Sequence, residues 1–252
     1  MKFTPRLPED NINVSKSNLF LETIKFLISG LILFFFSYFA LFGLAQLIIN
    51  NLDYEQEKSL LTFIDFDIEE TKSDAKLSEI LLSLKKCSNI KNNVQVKVLD
   101  DDFENAFALP GGTIIMTTKL IKNIKNDNEL YFILGHELGH YKHKDHLKKF
   151  GNGIVMMFFS FFIPSEIDFL TNLTFSISRS NYSKEQEFNA DEYSLQLMHC
   201  SLGHVNDATS FFERIQKNEK QWQFILGSHP NSLSRIENIK RLSKEKGYKV
   251  NF

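Results

Sequence analysis

The chain lacks an excess of charge of either sign: 29 lysines and arginines stand against 31 aspartates and glutamates, leaving a formal net charge of -2. No basic stripe interrupts that balance, so nothing electrostatic favours a nucleic-acid partner. It lacks internal repeats, which excludes a solenoid or propeller. Only two cysteines occur in 252 residues. Cys87 and Cys200 fall on separate predicted helices, and such spacing says nothing about the distance between them. They are expected as free buried thiols, although an oxidising compartment would let them pair. Two local absences carry more. No charged residue lies between Phe26 and Leu52, and no proline lies between Asp127 and Phe150.

The second of these gaps frames His136-Glu137-Leu138-Gly139-His140. Asn128 to Gly135 is apolar at helical spacing, and Asp127 is a plausible N-cap, so the five residues are expected on a buried helix. Residues four apart share one helical face, which lets both imidazoles reach a single ion. Glu137 lies one step round the helix, poorly placed to ligate but close enough to hydrogen-bond a water. That is the pattern of two zinc ligands and one general base.

A catalytic zinc requires a third protein ligand and an open position. Glu187-Phe188-Asn189-Ala190-Asp191 supplies carboxylates again four apart on one predicted helical face. Glu187 is then the metal ligand, and Asp191 accepts a hydrogen bond from the outer nitrogen of a ligand histidine. Alone, an acidic pair on a helix is usually a solvated face.

Four blocks together resemble metallopeptidase family forty-eight, which includes HtpX-type, Oma-type, BepA-like, LoiP-like and CAAX-processing members. They are Asn105 to Gly112, Gly135 to His140 with Asp145 following, Glu187 to Asp191, and Ser228-His229-Pro230 with Arg235-Ile236. The resemblance covers roughly residues 75 to 245, with the blocks in the family's order. It implies one zinc ion held by His136, His140 and Glu187, Glu137 as general base, and Asp191 as orienter. It also makes the segment opened by Gly111 and Gly112 similar to the family's active-site edge strand. Pro110 and the two glycines are expected to end a turn and launch Thr113 and Ile114 into a β-branched strand, whose exposed edge would pair with an extended substrate.

His229 carries three open readings. It sits in a capping loop ahead of a last helix begun by Pro230, with Arg235 on the exposed face. Or it stabilises the oxyanion on an attacked carbonyl. Or it occupies the fourth metal position and holds the protein latent. His143 and His146 are expected as exposed helix-end residues. His199 and His204 are assigned to a helix C-terminus closed by Gly203.

The uncharged run from Phe26 exceeds the roughly 20 residues that a spanning helix requires. It is apolar all round, which argues against a core helix, and it is longer than the apolar region of a signal peptide, although Gly43-Leu44-Ala45 resembles a cleavage site. Lys2, Arg6, Lys16 and Lys25 precede it and mainly acidic residues follow. The positive-inside rule then leaves the N-terminus cytoplasmic and the remainder periplasmic or extracytoplasmic, from the inner membrane. A second apolar stretch, Gly151 to Ile163, is too short to span and is expected as a buried or interfacial helical hairpin.

The expected organisation is a tail over residues 1–25, an anchor over 26–50, a juxtamembrane linker over 51–73 and a metallopeptidase domain over 74–252. Helices are anticipated near Asp74 to Lys86, Tyr182 to His199, Asn206 to Lys217 and Leu233 to Lys246, with strands at Val94 to Leu99 and Thr113 to Thr118. The fold class is α+β, predominantly helical, with a small sheet. The resemblance implies a zinc-dependent endopeptidase acting on misfolded or unassembled envelope proteins at a lipid membrane. The alternatives are a CAAX-like processing protease, and a catalytically idle membrane scaffold or chaperone-like binder.

Overall fold

The computed structural model describes residues 18–60, 71–149, 151, 182–217, 222–230 and 232–250. The chain divides into two compact units, Met1–Leu44 and Ala45–Phe252.

The first unit holds most of α1 (Leu19–Asn51), the one helix among the described residues that is long and apolar enough to cross a membrane. Its 33 residues extend about 50 Å, more than the roughly 30 Å of a hydrocarbon core. Phe26, Ile32, Leu33, Phe36 and Phe39 are each more than 60 % exposed, an apolar surface that soluble monomers rarely carry. The hydroxyls of Ser29 and Ser37 donate to the carbonyls of Lys25 and Leu33 at 2.7 and 2.8 Å. Polar groups are thereby satisfied within the helix, as lipid requires.

In the second unit the stretch expected as linker contains α2 (Tyr54–Leu60) and a short strand, β1 (Thr71–Lys72). Asp53 and Gln56 start α2 by reciprocal capping, at 2.9 and 3.0 Å. The sheet continues with β2 (Gln95–Leu99), β3 (Ala106–Leu109) and β4 (Thr113–Thr117), in the order β1-β2-β4-β3. This corrects one expectation. Thr113 and Ile114 do not lie on an edge, because β4 pairs in parallel with β2 and antiparallel with β3. Gly111 and Gly112, at φ 74° and 80°, allow the tight reversal that lays β4 beside β3. Gly112 has no alternative, since an added Cβ would sit 2.4 Å from the Asn93 carbonyl oxygen. The outer strand on this side is β3. Thr117 donates to Asn105 O at 3.0 Å, so strand alternation turns the backbone groups of Ala106 and Ala108 away from β4.

The helices follow from capping and apolar spacing. Asp74 caps α3 (Ala75–Cys87), which buries Leu77, Ile80, Leu81 and Leu84. After α4 (Thr118–Asn123), Asn126 rather than Asp127 caps α5 (Asp127–Lys142). The chain then turns at Lys144, φ 56°, and residues 145–149 are helical again. Ser183 and Gln186 form a capping box on α6 (Lys184–Leu202), and left-handed Gly203 ends it. Three helices complete the unit: α7 (Ser210–Lys217), α8 (Gln223–Ser228) and α9 (Ser232–Glu245). Residues 1–17, 61–70 and the apolar stretch after Gly151 lie outside the described residues.

Helices α5 and α6 pack antiparallel at close range. A Cβ on Gly139 would lie 2.8 Å from Ala190 Cα, and one on Gly135 would lie 2.7 Å from Ser194 Oγ. Ser194 fixes the register by donating to the Phe132 carbonyl at 2.6 Å. The cysteines differ from expectation. Cys87 and Cys200 form a disulfide, with Cα atoms 5.9 Å apart, because the C-terminal ends of α3 and α6 are brought side by side. Ser83 and Ser201 hydrogen-bond at the same junction.

Candidate metal centre

The close crossing of α5 and α6 determines which side chains meet. His136 and His140, one turn apart on α5, face Glu187 in the first turn of α6. His229, just past α8, closes the group from a separate element. One ligand atom from each of His136, His140, Glu187 and His229 lies within 4.8 Å of the other three, and all four residues are buried. His136 Nε2 is 3.0 Å from His140 Nε2 and 3.3 Å from His229 Nδ1. Glu187 Oε1 is 3.3 Å from His140 Nε2 and 3.1 Å from His229 Nδ1. Donors about 2.0–2.1 Å from a tetrahedral ion sit about 3.3 Å apart.

The tautomers test whether an ion fits. His136 Nδ1 faces Asp191 Oδ1 at 2.9 Å, and His140 Nδ1 faces Asp145 Oδ2 at 3.2 Å. A carboxylate accepts, so each outer nitrogen carries the proton and each Nε2 is left with a lone pair. His229 Nε2 faces the Ala106 carbonyl at 3.3 Å, so its Nδ1 likewise presents a lone pair towards Glu187. Four electron-pair donors therefore converge with no proton of their own between them. A cation reconciles that arrangement, and the mixed nitrogen and oxygen set suits zinc.

The surroundings hold His136, His229 and Glu187 in this state. Burial lowers the His136 pKa to about 4, and the Arg235 guanidinium acts in the same direction. Burial likewise takes His229 to about 3. For His140 burial acts downwards, but hydrogen bonds to Asp145 and Glu187 raise it overall. Glu187 and Asp191 are held below the ordinary carboxylate range against the effect of burial, chiefly by Arg235. Asp145 lies at about 2, since hydrogen bonds from His140, Lys148 and Gln186 outweigh its burial.

Glu137 is the exception. Burial raises it to about 7, and its Oε2 has no hydrogen-bond partner among the described residues. Its Oε1 lies 3.7 Å from His229 Nε2. A carboxyl that titrates near neutrality with an unfilled acceptor suits a proton-transfer base.

Of the three readings of the His229 block, the capping-loop reading places Arg235 on an exposed helical face. It is 1 % exposed, contacts Glu187 and donates to Asp191 at 2.6 and 2.8 Å. The start of α9 turns it inward: Ser232 is the first helical residue, and Pro230 stays outside the helix. The expectation for His146 is corrected as well. It is 1 % exposed and bonded to Glu57 at 2.9 Å, because the turn at Lys144 folds the chain back under α5. Two residues escaped notice altogether. Tyr182 stacks on His140 with ring centroids 3.7 Å apart, and Lys149 Nζ lies 3.2 Å from the Tyr182 ring centroid. A lone aromatic and a lone lysine carry no spacing signal. An apolar cavity lined by Phe132, Ile133, Phe212, Ile215 and Ile225 adjoins His136 and Glu137.

Residues 71–243 match the sequence profile of Peptidase family M48. The chain is 25 % identical to human mitochondrial metalloendopeptidase OMA1 over 93 % of this chain and 51 % of that protein. It is 26 % identical to the mitochondrial metalloendopeptidase OMA1 of Schizosaccharomyces pombe, over 58 % of this chain and 45 % of that protein. Metalloprotease LoiP of Escherichia coli strain K12 is 28 % identical, over 58 % of this chain and 61 % of the relative. The chain thus spans about half the length of these two OMA1 relatives.

Proposed function

The chain belongs to peptidase family M48, and from that membership we propose that it is a membrane-anchored, zinc-dependent endopeptidase. The observation that carries this reading is the pair of Nε2 lone pairs of His136 and His140, set 3.0 Å apart by carboxylates on their outer nitrogens. His136, His140 and Glu187 hold the metal, while Asp191 and Asp145 fix the imidazole tautomers. Bound zinc supplies Lewis acidity and activates water at neutral pH. Glu137 takes the proton of the attacking water and hands it to the leaving amine. An extended substrate lies along the outer edge of β3, where Ala106 and Ala108 turn their backbone groups away from β4; main-chain pairing there gives affinity with little side-chain selectivity. Such selectivity suits misfolded or unassembled envelope proteins as substrates.

Glu137→Gln tests the reading. It is expected to lower chelator-sensitive cleavage of an unfolded protein by about 10² to 10⁴-fold with one zinc retained per chain. His140→Ala and Glu187→Ala lose the metal as well. Retention of most turnover in Glu137→Gln sinks the mechanism.

His229 supports a second element of the proposal, latency. Its Nδ1 stands among the donor atoms, and a fourth protein donor closes a site that catalysis needs open. His229→Ala then raises basal cleavage; a fall in rate with metal retained assigns it to the oxyanion instead, and an unchanged rate leaves it structural.

For topology we infer that α1 anchors the chain in the inner membrane with the catalytic unit on the extracytoplasmic side. The Cys87–Cys200 disulfide supports this, since such bonds persist in oxidising compartments. Alkylating free thiols at the moment of cell lysis should leave both cysteines unmodified. Complete alkylation of both would place the unit in a reducing compartment.

A further inference from the structure

The segment between the anchor and the sheet does more than connect them. Glu57 on α2 is 4 % exposed, and its Oε1 accepts two hydrogen bonds from distant parts of the chain. One comes from the Gly111 N–H at 3.0 Å, the other from His146 Nε2 at 2.9 Å. Gly111 is the first of the two left-handed glycines in the turn joining β3 to β4, and β3 is the strand whose Ala106 carbonyl receives His229. His146 follows Asp145, the residue that fixes His140 Nδ1. Its ring stacks on Tyr141 with centroids 4.9 Å apart, and its Nδ1 lies 3.5 Å from the His140 carbonyl. One carboxylate oxygen thus ties the turn that ends the outer strand to the segment that orients a metal ligand.

Neighbouring contacts reinforce the tie from the same stem. Lys144 Nζ donates to the carbonyls of Asn50 and Leu52 at 3.2 and 2.9 Å, satisfying carbonyls at the C-terminal end of α1. Tyr54 Oη donates to the Asn93 carbonyl at 3.3 Å, the same oxygen that excludes a side chain at Gly112.

We propose that Glu57 is a positioning residue of the metal centre, through which the stem following the anchor sets both His140 and the β3 edge. The proposal rests on the peptidase reading above. Reach rather than charge is what the geometry demands. Glutamine at 57 presents an oxygen at the same distance and accepts both N–H groups. Aspartate keeps the charge but withdraws it by one methylene, about 1.5 Å, beyond hydrogen-bond range of both donors.

The test uses the full chain in detergent or lipid, with Glu57→Gln, Glu57→Asp and Glu57→Ala compared for cleavage of an unfolded protein and for the rate at which a chelator strips zinc. Groups that touch the ligands themselves typically contribute 10 to 100-fold in metal affinity or activity, and Glu57, acting through His146, is expected at the lower end of that range. Glu57→Asp and Glu57→Ala are expected to lose zinc about 10-fold faster and to lower kcat similarly, whereas Glu57→Gln stays within about threefold of wild type. A merely structural role lowers melting temperature without changing kcat or zinc release per folded molecule. Should Glu57→Ala fail to fold, the Gln and Asp pair decides: Asp matching wild type in kcat and zinc release, or Gln as impaired as Asp, overturns the proposal. Failure of the peptidase reading itself would appear separately, as a wild-type protein that binds zinc yet shows no chelator-sensitive cleavage; zinc release from the three variants still tests Glu57 in that case.

Discussion

The two ends of the α5–α6 pair are built on opposite principles. Where the C-terminal half of α5 meets the first turns of α6, the interior holds His136, Glu137, His140, Glu187 and Asp191, none more than 4 % exposed. Arg235 is packed against them. At the other end the same helices bury Leu130, Phe132, Ile133, Leu195, Leu197 and Met198, and the Cys87–Cys200 bridge ties α6 to α3. Burying charge costs free energy that pairing only partly offsets. The apolar, stapled end contributes the apolar burial that the ionic end lacks. The contrast teaches that stability and chemistry are separated along one helix pair, so a change at either end should move one without the other.

The sharpest break of that separation comes from the disulfide. Cys87 and Cys200 are 113 residues apart, and opening a loop of that length costs about 4–5 kcal/mol in the chain-entropy account, an upper figure for a protein with structure in its unfolded state. Cys87→Ser with Cys200→Ser should therefore lower the denaturant midpoint substantially. At a temperature where the variant remains folded, kcat and zinc stoichiometry should match wild type. A parallel loss of kcat in folded protein would mean that the far end shapes the site.

Arg235 probes the ionic end. Removing it leaves Glu187 and Asp191 buried beside each other without their cation, and breaking such a pair costs about 3–5 kcal/mol. Arg235→Met should destabilise the metal-free protein by that amount and the zinc-loaded protein by clearly less, since the ion restores positive charge beside Glu187. Melting curves with and without zinc measure both. An equal penalty in the two states would show that Arg235 acts through packing over Phe212, whose ring centroid lies 4.3 Å from the guanidinium carbon.

How much of this was legible in the sequence follows the same division. The donors His136, His140 and Glu187, with Asp191 beside them, could be read because each pair lies on one helix, where periodicity converts spacing into distance. Leu77, Ile80, Leu81 and Leu84 were legible for the same reason. What failed depends on contacts between elements. The order of β4 and β3 is set by the turn at Gly111 and Gly112 and by the parallel partner β2, and no local pattern encodes which strand lies outermost. The disulfide requires the ends of two helices to meet. Arg235 and His146 looked exposed because helix-end positions usually are; the reversal at Lys144 turns His146 inward, and the start of α9 at Ser232 turns Arg235 inward. Glu57 belonged to a stretch whose acidic composition reads as a solvated linker, and only tertiary structure shows its carboxylate buried.

The smallest effect is the most discriminating, because its sign reverses with pH. Glu137 sits where burial raises its pKa from 4.5 to about 7. A carboxyl whose folded pKa exceeds its unfolded value binds more protons folded than unfolded between those two values. Ionising it therefore costs nothing below about pH 4.5, costs progressively more as pH rises to about 7, and costs the full amount above, about 3 kcal/mol at 1.36 kcal/mol per unit. Glu137→Gln removes the charge but buries an amide lacking a partner, which returns about 1 kcal/mol of penalty. In the metal-free state the variant should be more stable than wild type by about 2 kcal/mol at pH 8, and equal or slightly less stable at pH 4. Urea unfolding at the two pH values measures the difference directly. A Glu137→Gln protein that is less stable than wild type at pH 8 would contradict the assigned environment, because an ionised Glu137 would then be stabilised by its surroundings and would have no drive to take up a proton. The variant expected to lose the most activity is thus expected to gain stability. That trade is the signature of a group held in an unfavourable setting for the sake of its chemistry.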